Sequence, residues 1–276
     1  MPKSKSKAND VLTLEDATLT LGGRTLWKDL SLSVQSGDFI AVLGPNGAGK
    51  SSLLRVLLGA LPVSSGAVRL FGKPPERGNR LVGYIPQQKS YDPSLPLRGR
   101  DLVQLGLNGY RFGMRRLTHV DGEHLDTVIA DVGASAYADN PIGLLSGGEQ
   151  QRLRIAQALV SEPRLLLCDE PLLSLDLSSQ QTVTSLINTY RREHDAAVLF
   201  VTHEVNPVLP YIDKILYIAN GKWVLDTPDK VLNSGTLSAL YGSPIEVLHV
   251  HNRVLVVGTE DASTTMFVDH AEGHHA

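Results

Sequence analysis

The chain has 276 residues, 42% apolar and 20% charged, with a formal net charge of -3. That is enough for one large domain with a substantial core and a small appendage. The near-neutral balance, with no dense Lys/Arg block after residue 10, excludes a nucleic-acid binder that works by neutralising phosphates. Cys168 is the single cysteine, so an internal disulfide is excluded and a reducing compartment is indicated. There is no run of about 18 apolar residues to span a membrane, so any role in transport needs a pore from another subunit.

Residues 1–10, MPKSKSKAND, are basic and polar. No apolar segment follows, so they read as a disordered lead-in and not a signal peptide. Val11–Leu21 and Thr25–Val34 read as strands joined by a turn at Gly22-Gly23. Phe39–Leu43 is a continuous apolar run, as in a strand buried on both faces. A Gly-rich turn and an apolar helix, Ser52–Leu61, follow, then a short strand, Leu81–Ile85. The texture changes near Pro93. Asp101–Leu107 looks helical, and Leu125, Val128, Ile129 and Val132 keep the i, i+3, i+4, i+7 spacing of a helix face. This stretch, about residues 93–152, reads as an inserted helical subdomain.

Further along come helix Gly148–Val160, strand Leu165–Cys168, helix Ser178–Arg192, and strands Ala197–Thr202 and Lys214–Ala219. Strands alternating with helices predict an α/β fold with a mainly parallel sheet. Ile245–His251 and Arg253–Gly258 read as a hairpin turning at Asn252, and the polar tail from Glu260 to Ala276 as disordered. The expected division is a main domain over 11–235, an appendage over 236–259 and a tail over 260–276.

Gly44-Pro45-Asn46-Gly47-Ala48-Gly49-Lys50-Ser51, followed by Ser52, fits the phosphate-loop pattern G-x-x-x-x-G-K-[ST] between a buried strand and a helix. Backbone N–H groups close around phosphate oxygens there, and the helix dipole adds attraction. Lys50 is suited to the β- and γ-phosphates and Ser51 to Mg²⁺. Strand Leu165–Cys168 runs into Asp169-Glu170. Asp169 is placed to hold the Mg²⁺ shell through water, and Glu170 to act as general base. Alone, the pair could equally be solvated acids capping a strand. Cys168 reads as a buried core residue. Gln87, with Gln88 as the competing choice, follows a short strand; its amide can ligate Mg²⁺ and orient water. His203 lies just past a strand end, where ligands bind in parallel α/β sheets. It could contact a γ-phosphate or simply be a hydrogen-bonded strand-end histidine.

Leu145-Ser146-Gly147-Gly148-Glu149-Gln150 opens another helix. Ser146-x-x-Glu149 is a capping box, and such a helix start also attracts an anion. It could bind a γ-phosphate held by another copy.

Taken together and in this order, the motifs resemble the ATP-binding subunits of ATP-binding cassette (ABC) transporters over about residues 11–235. The resemblance implies a P-loop NTPase, RecA-like core with an antiparallel β subdomain and a helical insertion. It assigns Gln87 to a Q-loop, Leu145–Gln150 to the signature, Ser174-Leu175-Asp176 to a D-loop and His203 to a switch. It implies an ATPase whose head-to-tail homodimer sandwiches two ATP molecules. Each would lie between one copy's phosphate loop and Ser146, Gly147, Gly148, Glu149 and Asp176 of the other. Gln87 and the helical subdomain would form a groove for polytopic permease subunits, placing the chain at the cytoplasmic face of the membrane.

The family usually carries an aromatic residue where this chain has Leu21; Trp27 is the candidate substitute for adenine stacking. Tyr84-Ile85-Pro86-Gln87-Gln88, Tyr91–Leu97, Glu170–Asp176, His203–Val208 and Leu240-Tyr241-Gly242 resemble importers of zinc, manganese or iron, which implies an extracytoplasmic metal-binding protein. His249 and His251 on one strand face, and His270, His274 and His275 in the tail, suit metal binding or plain solvation. The competing classes are a soluble ABC protein acting on nucleic acid and an unrelated P-loop kinase. The first needs a long coiled coil or two cassettes, and no sustained heptads lie between Gln87 and Leu145. The signature argues against the second.

Overall fold

The computed structural model describes residues 10–87, 91–108, 118–251 and 253–258. Its centre is Phe39–Leu43 (β3), five residues all fully or almost fully buried. Leu165–Asp169 (β6) and Ala197–Val201 (β7) are buried throughout in the same way. Strands covered on both faces must be apolar along their whole length, which is why none of them alternates. With Val82–Ile85 (β5), Lys214–Ala219 (β8) and Lys222–Asp226 (β9) they form a six-stranded sheet in the order β5-β6-β7-β3-β8-β9. Pairing is parallel except for the last pair, β8 with β9.

A second, antiparallel sheet joins Arg24–Gln35 (β2), Asp10–Leu21 (β1) and Ser65–Leu70 (β4). Its inward residues, among them Leu12, Leu19, Trp27 and Leu30, share one core with Ile40 and Val42 of β3 and with Leu53, Leu54 and Leu57 of Lys50–Leu57 (α1). The other face of the main sheet carries the helical insertion. Gly99–Asn108 (α2), His119–Asp131 (α3) and Gly147–Leu159 (α4) bury Val103, Leu125, Ile129 and Leu153 in one cluster with Phe39, Leu166 and Phe200. Leu177–Glu193 (α5) adds Val183 and Ile187 to it. Pro228–Val231 (α6), Ser234–Tyr241 (α7), Ile245–Val250 (β10) and Arg253–Gly258 (β11) complete the chain. Among the described residues no helix is long and apolar enough to cross a membrane.

The fold class expected from the alternating pattern is the one observed. The differences are local. The first helix starts at Lys50 and not Ser52, because Gly49 at φ +99° turns the loop straight into it. It stops before Gly59, whose φ of +66° brings the chain within 2.8 Å of the Glu76 backbone at the position a Cβ would take. Strands β4 and β9 and helices α6 and α7 carry too short a periodic signal to stand out. The last strand pair is a hairpin, but β10 ends at Val250, and His251 at φ +46° already belongs to the turn. His249 and His251 therefore do not share a strand face. Asn252, Gln88, residues 1–9 and the tail histidines lie outside the described residues.

Candidate active site

The ends of the parallel strands assemble the site. β3 leads into the phosphate loop, where Gly44 adopts φ +140° and passes so close to β8 that a Cβ would sit 2.0 Å from the Ile218 carbonyl oxygen. Gly49 packs against Leu26 and the indole of Trp27. Lys50 is buried, and its Nζ donates to the carbonyl oxygens of Gly44 at 2.6 Å and Pro45 at 3.0 Å. Burial lowers the Lys50 pKa, opposed by the nearby Glu170 and Asp169 carboxylates.

β6 delivers the carboxylates. Ser51 Oγ donates to Asp169 Oδ1 at 3.0 Å, and the Tyr84 hydroxyl donates to Asp169 Oδ2 at 3.5 Å. Burial raises the Asp169 pKa, and the Ser51 hydrogen bond works against that shift. Glu170 has left the extended conformation: its φ is +48°, and its N–H donates to the Val201 carbonyl at 2.9 Å. That turn aims its side chain at two groups from other strands. Gln87 Nε2 donates to Glu170 Oε2 at 3.3 Å, and His203 Nδ1 lies 3.6 Å from Glu170 Oε1. The His203 imidazole beside it holds the Glu170 carboxyl below the ordinary range, and the same contact raises the imidazole. A carboxylate kept ionised and hydrogen-bonded at a strand end can accept a proton from water.

Five of the expected positions, Lys50, Ser51, Gln87, Asp169 and His203, are thus brought together around Glu170. Ser51 and Asp169 offer adjacent hard oxygens, and Gln87 an amide oxygen, which is the donor chemistry that suits Mg²⁺. Among the described residues no group of three or more His, Cys, Asp or Glu is arranged to hold a metal.

The signature stands apart. Ser146 caps α4, with its N–H and Oγ each donating to Glu149 Oε2 at 2.8 Å and its Oγ accepting from the Glu149 N–H at 3.4 Å. Gly148 lies against Ser179, since a Cβ there would meet Ser179 Oγ at 2.9 Å. Ser179 N–H and Oγ in turn donate to Asp176, the cap of α5, at 2.9 and 2.7 Å. The starts of α4 and α5 therefore form one ledge. Among the described residues the hydrogen bonds and ion pair around Glu170 and Lys50 include none from Ser146 or Glu149.

Sequence reasoning missed two supporting residues. Tyr84, on β5, touches Asp169, and burial raises its hydroxyl pKa to about 12. Its place three residues before Gln87, at a strand end, was the available signal. Gln150 is buried, and its Nε2 donates to the carbonyls of Ile142 at 3.1 Å and Leu145 at 3.0 Å, which fixes the loop ahead of Ser146. A glutamine carries no sequence mark of burial. One expectation is corrected. Trp27 has no exposed surface and supports Gly49 from behind, so its ring cannot stack on adenine. Close to Leu21 in the chain, Arg24 also approaches the phosphate loop, its Nη1 lying 4.0 Å from the Cβ position of Gly47.

A parallel sheet with a glycine-rich phosphate loop after β3 and paired carboxylates at the end of β6, one strand further over beyond β7, defines the fold of P-loop nucleoside triphosphatases. The family model described as ABC transporter matches residues 27–173. The chain is 33% identical over 245 residues to the zinc import ATP-binding protein ZnuC of Pseudomonas fluorescens, covering 89% of this chain and 87% of that protein. It is 34% identical over 205 residues to the zinc transport system ATP-binding protein TroB of Treponema pallidum, covering 74% and 77%. It superposes, with a TM-score of 0.76 at 26% identity, on a chain from an inward-facing ABC transporter described as of metal-chelate type, over 90% of this chain and 96% of that one. The chain belongs to the ABC transporter family: it is an ATP-binding subunit, an ATPase coupled to transport.

Proposed function

We propose that this subunit drives import of a divalent metal, zinc foremost, through polytopic permease subunits, and that it works as a head-to-tail homodimer on the cytoplasmic face of the membrane. The convergence of Lys50, Ser51, Gln87, Asp169 and His203 on Glu170, with Ser146 on a separate helix start, carries the mechanistic part. The cargo rests on the zinc relatives' names and on the chelate-type neighbour. An extracytoplasmic metal-binding protein would supply the zinc.

In this reading Gly44–Ser51, with Ser52, wrap the ATP phosphates, and Lys50 exchanges its carbonyl partners for phosphate oxygens. Ser51, Gln87 and, through water, Asp169 would hold Mg²⁺, which would supply positive charge against the phosphates. Glu170 takes the proton of the attacking water. Gln87 and His203 position that carboxylate, and His203 also faces the γ-phosphate. Ser146, Gly147 and Gly148 of one copy complete the site of the other, with Glu149 holding Ser146 in place and Asp176 ordering the adjoining ledge. Residues 11–235 act as the ATPase domain and 236–259 as its appendage.

Glu170→Gln tests the mechanism. It should bind ATP, lose turnover and elute from gel filtration as a dimer with Mg·ATP; hydrolysis at the wild-type rate would exclude Glu170 as the base. For the cargo, the chain is purified with its co-extracted membrane partner, and ATPase stimulation is measured with zinc and the binding protein. Co-purification of nucleic acid in place of a polytopic subunit would sink the transport reading.

A further inference from the structure

Exposed apolar residues are ordinary when they stand singly, but contiguous apolar patches mark contact surfaces. The C-terminal hairpin carries such a patch on the side away from its own core. In the β10–β11 register Glu246 pairs with Val257, Leu248 with Leu255, and Val250 with Arg253. Side chains of directly opposed residues share one face, about 5 Å apart. Leu248 is 46% exposed, Val250 44%, Leu255 37% and Val257 44%. The opposite face is already used: Ile245, Val254 and Val256 are buried with Leu237, Leu240 and Tyr217. A two-stranded hairpin with one face packed would normally turn polar residues outward. This one turns out four aliphatic side chains, flanked by Glu246 at one end and Arg253 at the other.

The charge pattern selects the occupant. A two-fold interface uses the same patch on both partners, so the patch must complement itself when turned end for end. A strip reading acid, aliphatic, base does so. We propose that the outer face of this hairpin seats the same face of a second copy, about a two-fold axis crossing the Leu248–Leu255 pair. Glu246 of each copy then meets Arg253 of the other, and the four aliphatic residues leave water. This contact uses none of the nucleotide-site residues, so it forms without ATP. It goes beyond the ATP-sandwiched dimer: two ATPase domains already tethered at their hairpins close on ATP as an intramolecular step, at high effective concentration.

Sedimentation equilibrium of the full chain without nucleotide tests the proposal, with circular dichroism confirming that each variant is folded. The wild type is expected to dimerise. Leu248→Asp should weaken the dimer at least about tenfold, since each copy loses a buried leucine and gains a buried charge. Glu246→Arg should weaken it by setting like charges together. The double reversal Glu246→Arg/Arg253→Glu should restore it. A wild type that stays monomeric, or a dimer indifferent to Leu248→Asp, overturns the proposal, and so does failure of the double reversal to rescue. So would a monomer that co-sediments with anionic phospholipid vesicles through Leu248, which would make the strip a lipid contact. The Mg·ATP dimer of Glu170→Gln is measured separately, so either dimer can fail alone.

Discussion

His203 Nδ1 lies 3.6 Å from Glu170 Oε1, and each group moves the other's protonation. The contact lowers the Glu170 pKa from 4.5 and raises that of His203 from 6.5. The contribution of His203 to stability is complete below its unfolded value and fades as pH rises through its folded one. That of Glu170 is complete above its unfolded value and fades as pH falls through its folded one. In the nucleotide-free protein the pair is therefore intact between about 4.5 and 6.5 and beyond, on both sides, up to the shifted values. The expected outcome is that His203 titrates above 6.5 by NMR and that Glu170→Gln brings it down. An unchanged histidine titration would show that the two side chains do not meet in solution.

Gly44→Ala introduces a methyl group 2.0 Å from the Ile218 carbonyl oxygen, at a backbone φ of +140° that alanine rarely adopts. Neither β3 nor β8 can retreat, because both are buried inside the sheet. Overpacking of this kind costs about 1–3 kcal/mol, often more where backbone is the obstacle. A fall in melting temperature together with weaker ATP binding is expected. Gly47→Ala, with only the far end of Arg24 near its Cβ position, should disturb packing much less.

Gln150→Ala removes the amide that ties Ile142 and Leu145 to α4. The Ile142 carbonyl keeps the Leu145 N–H at 3.2 Å, but the half-buried Leu145 carbonyl loses its amide partner, at a cost of about 1 kcal/mol. Because that loop positions Ser146, hydrolysis should fall more than nucleotide binding does. Thermal melts and equilibrium titration with a fluorescent ATP analogue, compared with turnover, separate the two effects.

Ser146→Asp keeps a good helix cap but puts a negative charge where a phosphate is expected. Losing the Ser146 Oγ donation to Glu149, with a second carboxylate set beside it, should lower the melt modestly, while hydrolysis drops on the order of 100-fold, the scale seen when one transition-state hydrogen-bond donor is lost. Nucleotide binding by the monomer should stay near wild type. If the monomer itself loses binding, the signature does not serve a second copy's site.

How far the chain could be read depended on the kind of information each element carries. β3, β6 and β7 announced themselves, because a strand covered on both faces has to be apolar from end to end. The phosphate loop and the signature were equally plain, since closing a backbone on phosphate demands glycines at set positions beside a lysine. Trp27 misled because its composition suggests a platform for a base, whereas it fills the space behind Gly49. Tyr84 offered only its place three residues before Gln87, and Gln150 no mark of burial; their roles depend on a carboxylate 85 residues away in one case and on local burial in the other.

From its order of residues alone this chain is an α/β phosphate-binding ATPase with a signature helix, because those features reside in contiguous segments. What only the folded arrangement decides is the company Glu170 keeps. Its partners, Gln87 and His203, come from just past the ends of β5 and β7, and they meet because the sheet places β5, β6 and β7 side by side. The same holds for the apolar strip on the hairpin. Alternation marks which residues share a face, but only packing against α7 and β8 determines which face is left for a partner.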